Sequence, residues 1–148
     1  ICNNPDYPYA QMFTESAPIE ARLLMGAMTA KFRPDAFLIW QITEWNAFGC
    51  IESGPFTDWP ERTWGTDNGD GSWVCSGPDG TPLSTIRLEN FRDGLEDLAY
   101  VRMCEKRFGK LPAMPPSVVK NMREYTHDPQ VVRSWRDSIA DLLETKGK

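Results

Sequence analysis

Glu44, Trp45 and Asn46 stand where the apolar run of "FLIWQITEWN", residues 37–46, gives out. A carboxylate just past the C-terminal end of a buried parallel strand is where barrel enzymes gather catalytic and binding groups. Glu44 is therefore a candidate for acid–base work, set against the plainer roles of helix cap or salt-bridge partner. Glycosidic-bond cleavage takes two carboxyl groups facing one sugar, or one pair acting with the substrate's own acetamido group. Glu44 meets this requirement by position only. His127, the only histidine, sits just before a helix cap with neither H-E-x-x-H nor a nucleophile elbow around it. That context disfavours a triad or a zinc protease, and a structural role is expected.

Cysteines and turn residues supply the remaining candidates. Cys2, Cys50, Cys75 and Cys104 form no C-x-x-C pair, which argues against a zinc ribbon or a thioredoxin-like site. Four cysteines allow three pairings; buried, reduced thiols are expected, with a Cys50–Cys75 bridge as the alternative. "DNGDG" (67–71) invites a calcium reading, but the EF-hand register that suits Asn68 and Asp70 puts Thr66 at the first ligand position. The same register places Gly77 where a bidentate Glu is required, so a plain turn and no metal are expected. No cofactor is implied.

The elements that must carry these residues follow from periodicity. "NNPDYPYAQMF" (3–13) is a Pro- and Asn-rich loop within an irregular opening stretch, 1–17. Ser16 can cap a helix over 18–33 whose apolar side is Ile19, Leu23, Ala27 and Ala30. "DAFLIWQI" then suits a strand at 36–42 buried on both faces, as parallel strands are. A long insert, 43–84, holds most of the chain's eleven glycines and four of its tryptophans, with turn signals flanking "SWVC" as a short hairpin. A second helix, 85–108, capped by Ser84, carries Leu88, Phe91, Leu95, Leu98 and Val101 as its core stripe. Its other face, Arg87, Glu89, Arg92, Asp93, Glu96 and Asp97, reads as solvated, while Gly94 costs about 1 kcal/mol in a helix and so hints at a close contact. A last amphipathic helix, 128–145, begins at Asp128-Pro129.

Bulk properties exclude whole classes. The chain has 148 residues, 41% of them hydrophobic, which is enough for one domain with an ordinary core. A net charge of −5 and a pI near 4.9 give nothing to neutralise a phosphate backbone, so no nucleic-acid partner is expected. No apolar stretch approaches the ~20 residues that cross a bilayer, since Glu20 and Arg22 interrupt the longest run, and no membrane partner is expected. The first residue is Ile1, so a leader or an upstream region is expected to have been removed or to lie outside the chain. A secreted or periplasmic location is the expectation.

Two stretches carry a family resemblance. "YPYAQMFTESAPIEARLLMGAMTAKFRPDAFLIWQITEWN" and "STIRLENFRDGLEDLAYVRM", separated by an insert with "NGDG" and "GPDG", resemble the C-terminal part of the glycoside hydrolase family 123 catalytic domain. The likeness runs from about Tyr7 to Met103. Its most distinctive element is Arg87-x-Glu89-x-x-Arg92-Asp93-Gly94-x-Glu96-Asp97-x-x-Tyr100, many fixed polar positions on one helix. The strand departs from the family's tendency to place Gly after Asp35 and Tyr before Trp40.

The resemblance implies an α/β fold, the C-terminal portion of a (β/α)8 TIM-like barrel, in relatives that cleave terminal β-linked N-acetylgalactosamine. Their route is substrate-assisted: an adjacent Asp-Glu pair orients the acetamido nucleophile and acts as general acid and base. No Asp-Glu dipeptide occurs here, so the catalytic pair is expected upstream of Ile1, and these residues alone are expected to be inactive. On this reading Trp40 and Trp45 stack on a sugar ring, Gln41, Glu44 and Asn46 bind its polar substituents, and Tyr7, with Tyr9, lines the same mouth. The partner is a terminal N-acetylhexosamine, together with the remainder of the barrel or a second copy. A non-catalytic carbohydrate-binding or structural fragment is the alternative.

Overall fold

Apolar residues at nearly every position from Ile19 to Ala30 make a helical run that is buried all round, with Ala21, Leu23, Leu24, Ala27 and Met28 all inside. In the computed structural model, which describes residues 8–12, 16–39, 42–43, 62–64, 67–68, 73–76, 79 and 81–145, this run has three parts. They are α1 (Ile19–Leu23), a π-helical stretch (Leu24–Met28) and α2 (Thr29–Phe32). The Thr29 hydroxyl donates to the Leu24 carbonyl, five residues back, at 2.6 Å, which suits the wider π turn. Ser16 is not the cap. Pro18, whose φ of −54° already fits a helix, takes that place, and Ser16 Oγ donates to the Gln11 carbonyl at 3.2 Å. The run ends as expected, with Arg33 left-handed at φ 51° before Pro34.

The second helix, α3 (Ile86–Phe108), starts one residue later than its expected cap. Thr85, with an extended backbone, accepts from the Leu88 N–H at 3.3 Å, while Ser84 lies in a strand. Gly109 closes the helix at φ 69°, the left-handed turn that glycine makes without strain. The stripe differs from the expected one in two places. Leu95 is 44% exposed, whereas Asp97, expected in solvent, is 1% exposed. The last helix, α4 (Pro129–Thr145), begins as expected, with Asp128 accepting from the Gln130 N–H at 2.8 Å, and buries Val132, Trp135 and Ile139.

Rising residue numbers meet rising residue numbers wherever the helices touch. Arg87 Nη2 donates to the Ser16 carbonyl at 3.3 Å, Arg22 pairs with Asp97, and Arg33 with Glu105 at 2.9 Å. The first run and α3 are therefore parallel. The same holds for α3 and α4, through Arg136 near Asp97 at 3.8 Å and Arg107 donating to the Leu143 carbonyl at 2.6 Å. Parallel neighbours require the chain to travel back between them. Residues 34–39 and 42 do so: Pro34 and Asp35 lie beside Arg102 and Glu105, and the Ile42 carbonyl accepts from Trp73 and Val74 N–H at 3.1 and 3.3 Å. Trp73 in turn accepts from the Thr85 hydroxyl at 2.7 Å, at the start of α3.

The returning segment corrects an expectation. Residues 36–39 are not strand, and Leu38 is 59% exposed and Ile42 39%, so burial on both faces fails in this structure. Phe37 and Ile39 pack on the core on one side, and nothing among the described residues covers the other. Within the insert, a strand at Val74–Ser76 pairs antiparallel with one at Pro82–Ser84, the expected hairpin. A second small ladder joins two further strands, Arg62–Trp64 and Asp67–Asn68. Cys75 is a free thiol, and Cys50, its alternative partner, lies outside the described residues.

Candidate functional site

One end of the unit gathers the starts of α1 and α3 and the docked carbonyl of Ile42. Trp73 is its plug. The ring is 3% exposed and lies 5.0 Å from Phe91, tilted by 54°, and Phe37 lies 5.6 Å from the same Phe91 ring. Tilted aromatic pairs of this kind add about 0.5–1.5 kcal/mol each beyond burial. Trp73 thereby ties the end of the returning segment to the first turn of α3.

Below the plug, the helices are locked by charge. Arg22 grips Asp97 with two bonds, Nε to Oδ2 at 2.6 Å and Nη2 to Oδ1 at 2.9 Å, the fork geometry that matches guanidinium to carboxylate. Arg136 of α4 approaches the same carboxylate at 3.8 Å and rests 5.0 Å from the Tyr100 ring, so one aspartate joins three helices. Burial pushes the Asp97 carboxyl up from the ordinary aspartate range, and Arg22 and Arg136 pull against it. The hydrogen bond to Asp97 holds Arg22 above its usual value. The fork forms because the backbones come close. A Cβ on Gly94 would lie 2.5 Å from the Arg22 carbonyl oxygen, and one on Gly26 would lie 3.1 Å from Asp97 Cβ.

The other members of the polar motif spread around this joint. Arg87 is half-buried and reaches Ser16, with its guanidinium pulled down by burial. Glu89 accepts from Ser84 and pairs with the exposed Arg92, which also bonds Asp93 at 3.2 Å. Asp93 stands 3.8 Å from Arg22, while Glu96 is exposed. Glu20 is a second buried acid, pushed up by burial and faced by His127 at 3.9 Å. Sequence reasoning passed over Arg22, Arg136, Trp73 and Glu20. Glu20 and Arg22 were visible as charges inside an apolar helical run, the pattern of a partnered buried ion.

Trp40, Gln41, Glu44, Trp45, Asn46 and Tyr7 lie outside the described residues. Cys104, fully buried, is pushed up by desolvation and stays a thiol. Among the described residues no three His, Cys, Asp or Glu side chains gather as a metal site, and no helix is long and apolar enough to cross a membrane. A cleft beside Thr29, Arg33 and Glu105 sits at the opposite end of the helices.

Comparison with known families places the chain among the glycoside hydrolases. The family model that matches, over residues 1–104, is that of the glycoside hydrolase 123 catalytic domain, and the chain belongs to this family. Membership implies a carbohydrate substrate. No curated protein matches the chain.

Proposed function

We propose that the chain is the closing section of a (β/α)8 barrel in a β-N-acetylgalactosaminidase-like enzyme, and that it supplies one wall of the sugar pocket. The observation that carries the reading is directional. Two parallel helical runs, bridged by a segment returning between them, start at the end where Ile42 docks. Barrel enzymes bind substrate at the face where strands end and helices begin. Glu44, Trp45 and Asn46 follow Thr43 directly in sequence, and Trp40 and Gln41 precede Ile42. In this reading the two indoles stack on the sugar, and Gln41, Glu44 and Asn46 hydrogen-bond its hydroxyl and acetamido groups, with Tyr7 on the neighbouring loop. The exposed Leu38, Ile42 and Ile86 are the surfaces that the other barrel elements, or a second chain, would cover.

Hydrolysis is substrate-assisted and retaining on this proposal. The acetamido group attacks the anomeric carbon, oriented by an Asp, while the adjacent Glu protonates the leaving oxygen and then activates water. The chain holds no Asp-Glu pair, so both acids come from elsewhere in the protein. Replacing Trp45 with Ala in the full-length protein removes a stacking contact of about 0.5–1.5 kcal/mol, roughly a two- to tenfold weaker Kd for the sugar. Unchanged affinity, measured by calorimetry with N-acetylgalactosamine, would remove Trp45 from the pocket.

A further inference from the structure

Past residue 104, where the family match ends, residues 115–128 form a strap laid against the first helical run. Lys31, near the end of that run, donates to the Val119 and Lys120 carbonyls at 2.6 and 2.7 Å, and Val118 and Val119 are buried. Glu20, near the start of the run and 5% exposed, meets the other part of the strap. Tyr125 hydrogen-bonds it, and His127 Nε2 lies 3.9 Å from its Oε1, with the two rings stacked at 5.1 Å. The Gln11 N–H donates to Glu20 Oε2 at 2.7 Å, and the Ala17 backbone bonds the carboxyl as well. Tyr125 also donates its hydroxyl to the Pro8 carbonyl at 3.0 Å, so the strap fastens residues 8–12 along with the run. The strap's other charges are engaged elsewhere: Lys120 with Glu124, Arg123 over the Tyr9 ring, and Asp128 at the α4 cap.

A tyrosine hydroxyl has one proton to donate. While Tyr125 gives it to Pro8, its bond to Glu20 takes a proton from the Glu20 side, which a carboxylic acid supplies and a carboxylate does not. An ionised Glu20 instead competes with Pro8 for the Tyr125 proton. A protonated His127 weakens that competition by setting a cation opposite the carboxylate. Desolvation, the largest influence on Glu20, favours the protonated acid. We propose that residues 115–128 are a proton-dependent strap: one proton held within the Glu20, Tyr125 and His127 cluster keeps Tyr125 fastened to Pro8, and its departure as the medium turns from acidic to neutral releases residues 8–12. The Lys31 contacts are to backbone carbonyls, which do not titrate, so release is confined to the Tyr125 side.

The test is hydrogen exchange of the full-length protein from about pH 4 to pH 8, read as protection relative to an unstructured peptide at the same pH. Because the fastened state holds the extra proton, protection of residues 8–12 is expected to fall as pH rises, by no more than about tenfold per pH unit. A peptide within α3 is expected to stay constant. Glutamine copies the protonated acid, its carbonyl accepting from Gln11 and its amide donating to Tyr125, so Glu20→Gln is expected to keep the acid-side protection at pH 8. Tyr125→Phe removes the Pro8 bond and is expected to leave residues 8–12 weakly protected at every pH. His127→Phe keeps the ring stack and is expected to move or abolish the pH midpoint. Protection of 8–12 that is the same at both ends of the range overturns the proposal. So does a Glu20→Gln protein that follows the wild-type decline, a Tyr125→Phe protein that matches wild type, or an unmoved midpoint in His127→Phe.

Discussion

Gly94→Ala separates two accounts of one residue. In an isolated helix the change is favourable by about 1 kcal/mol, because alanine is the better helix former. Here the new methyl carbon would meet the Arg22 carbonyl oxygen at 2.5 Å and Met25 Cβ at 3.0 Å. Both neighbours sit on a buried helix and one is backbone, so neither swings aside. Restoring an ordinary contact of 3.4 Å moves the helices apart by roughly 0.9 Å at this point. The same movement stretches the Arg22–Asp97 bonds, now 2.6 and 2.9 Å, past useful hydrogen-bond length. Overpacking of about 1–3 kcal/mol and a weakened charge-assisted fork, less the propensity gain, leave a net loss of about 2–4 kcal/mol. Urea unfolding of wild type and variant reads this as a lower midpoint at unchanged slope, with a Tm fall of roughly 5–15 °C. Gly109→Ala, with no heavy atom within 4 Å but a φ of 69°, is the control for strain alone, at about 1–2 kcal/mol. A Gly94→Ala protein as stable as wild type, or more so, would refute the close crossing and with it the joint.

Three further outcomes follow from the same contacts. Asp97→Ala strands the Arg22 guanidinium in the interior and is expected to cost about 3–5 kcal/mol, while Arg22→Met with Asp97→Leu recovers most of it; chemical denaturation of the single and double variants gives the comparison. Burial raises Glu20 above its ordinary value of 4.5, so between that pH and the raised value the folded state binds more protons than the unfolded one. Its contribution to stability therefore falls as pH rises through that window, and Glu20→Gln is expected to flatten this decline in unfolding midpoints taken from pH 4 to 7. Thr85→Ala removes the α3 cap and the donor to Trp73, and is expected to cost about 1–2 kcal/mol in thermal melts, against almost nothing for Ser84→Ala.

The parts legible in the sequence were those set by neighbours a few residues apart. Both long helices, the hairpin around "SWVC" and the helix stops at Arg33 and Gly109 follow from periodicity and turn residues. Gly94 was legible too, because a glycine inside a charged helix is a cost that some contact must offset. Asp97 was not. Its spacing suits a solvated face, and Arg22, 75 residues away, with Arg136 of α4 makes the interior habitable. The run at 36–42 shows the opposite failure. Its composition asks for cover on two faces, and the described residues supply cover on one. Of the candidate site, the residues named from the sequence at 40–46 lie outside the described residues, and the contacts that hold the end they flank, Trp73 to Thr85 and Glu20 to Gln11, depend on pairings no local pattern encodes.

The central claim is that this chain walls the pocket of an enzyme that uses its substrate's own acetamido group. The most direct measurement compares release of an aryl leaving group by the full-length protein from the N-acetyl-β-galactosaminide and from the β-galactoside, which lacks that group. Cleavage of the first and none of the second is the expected result. Equal rates on both, or cleavage of the galactoside alone, would contradict it.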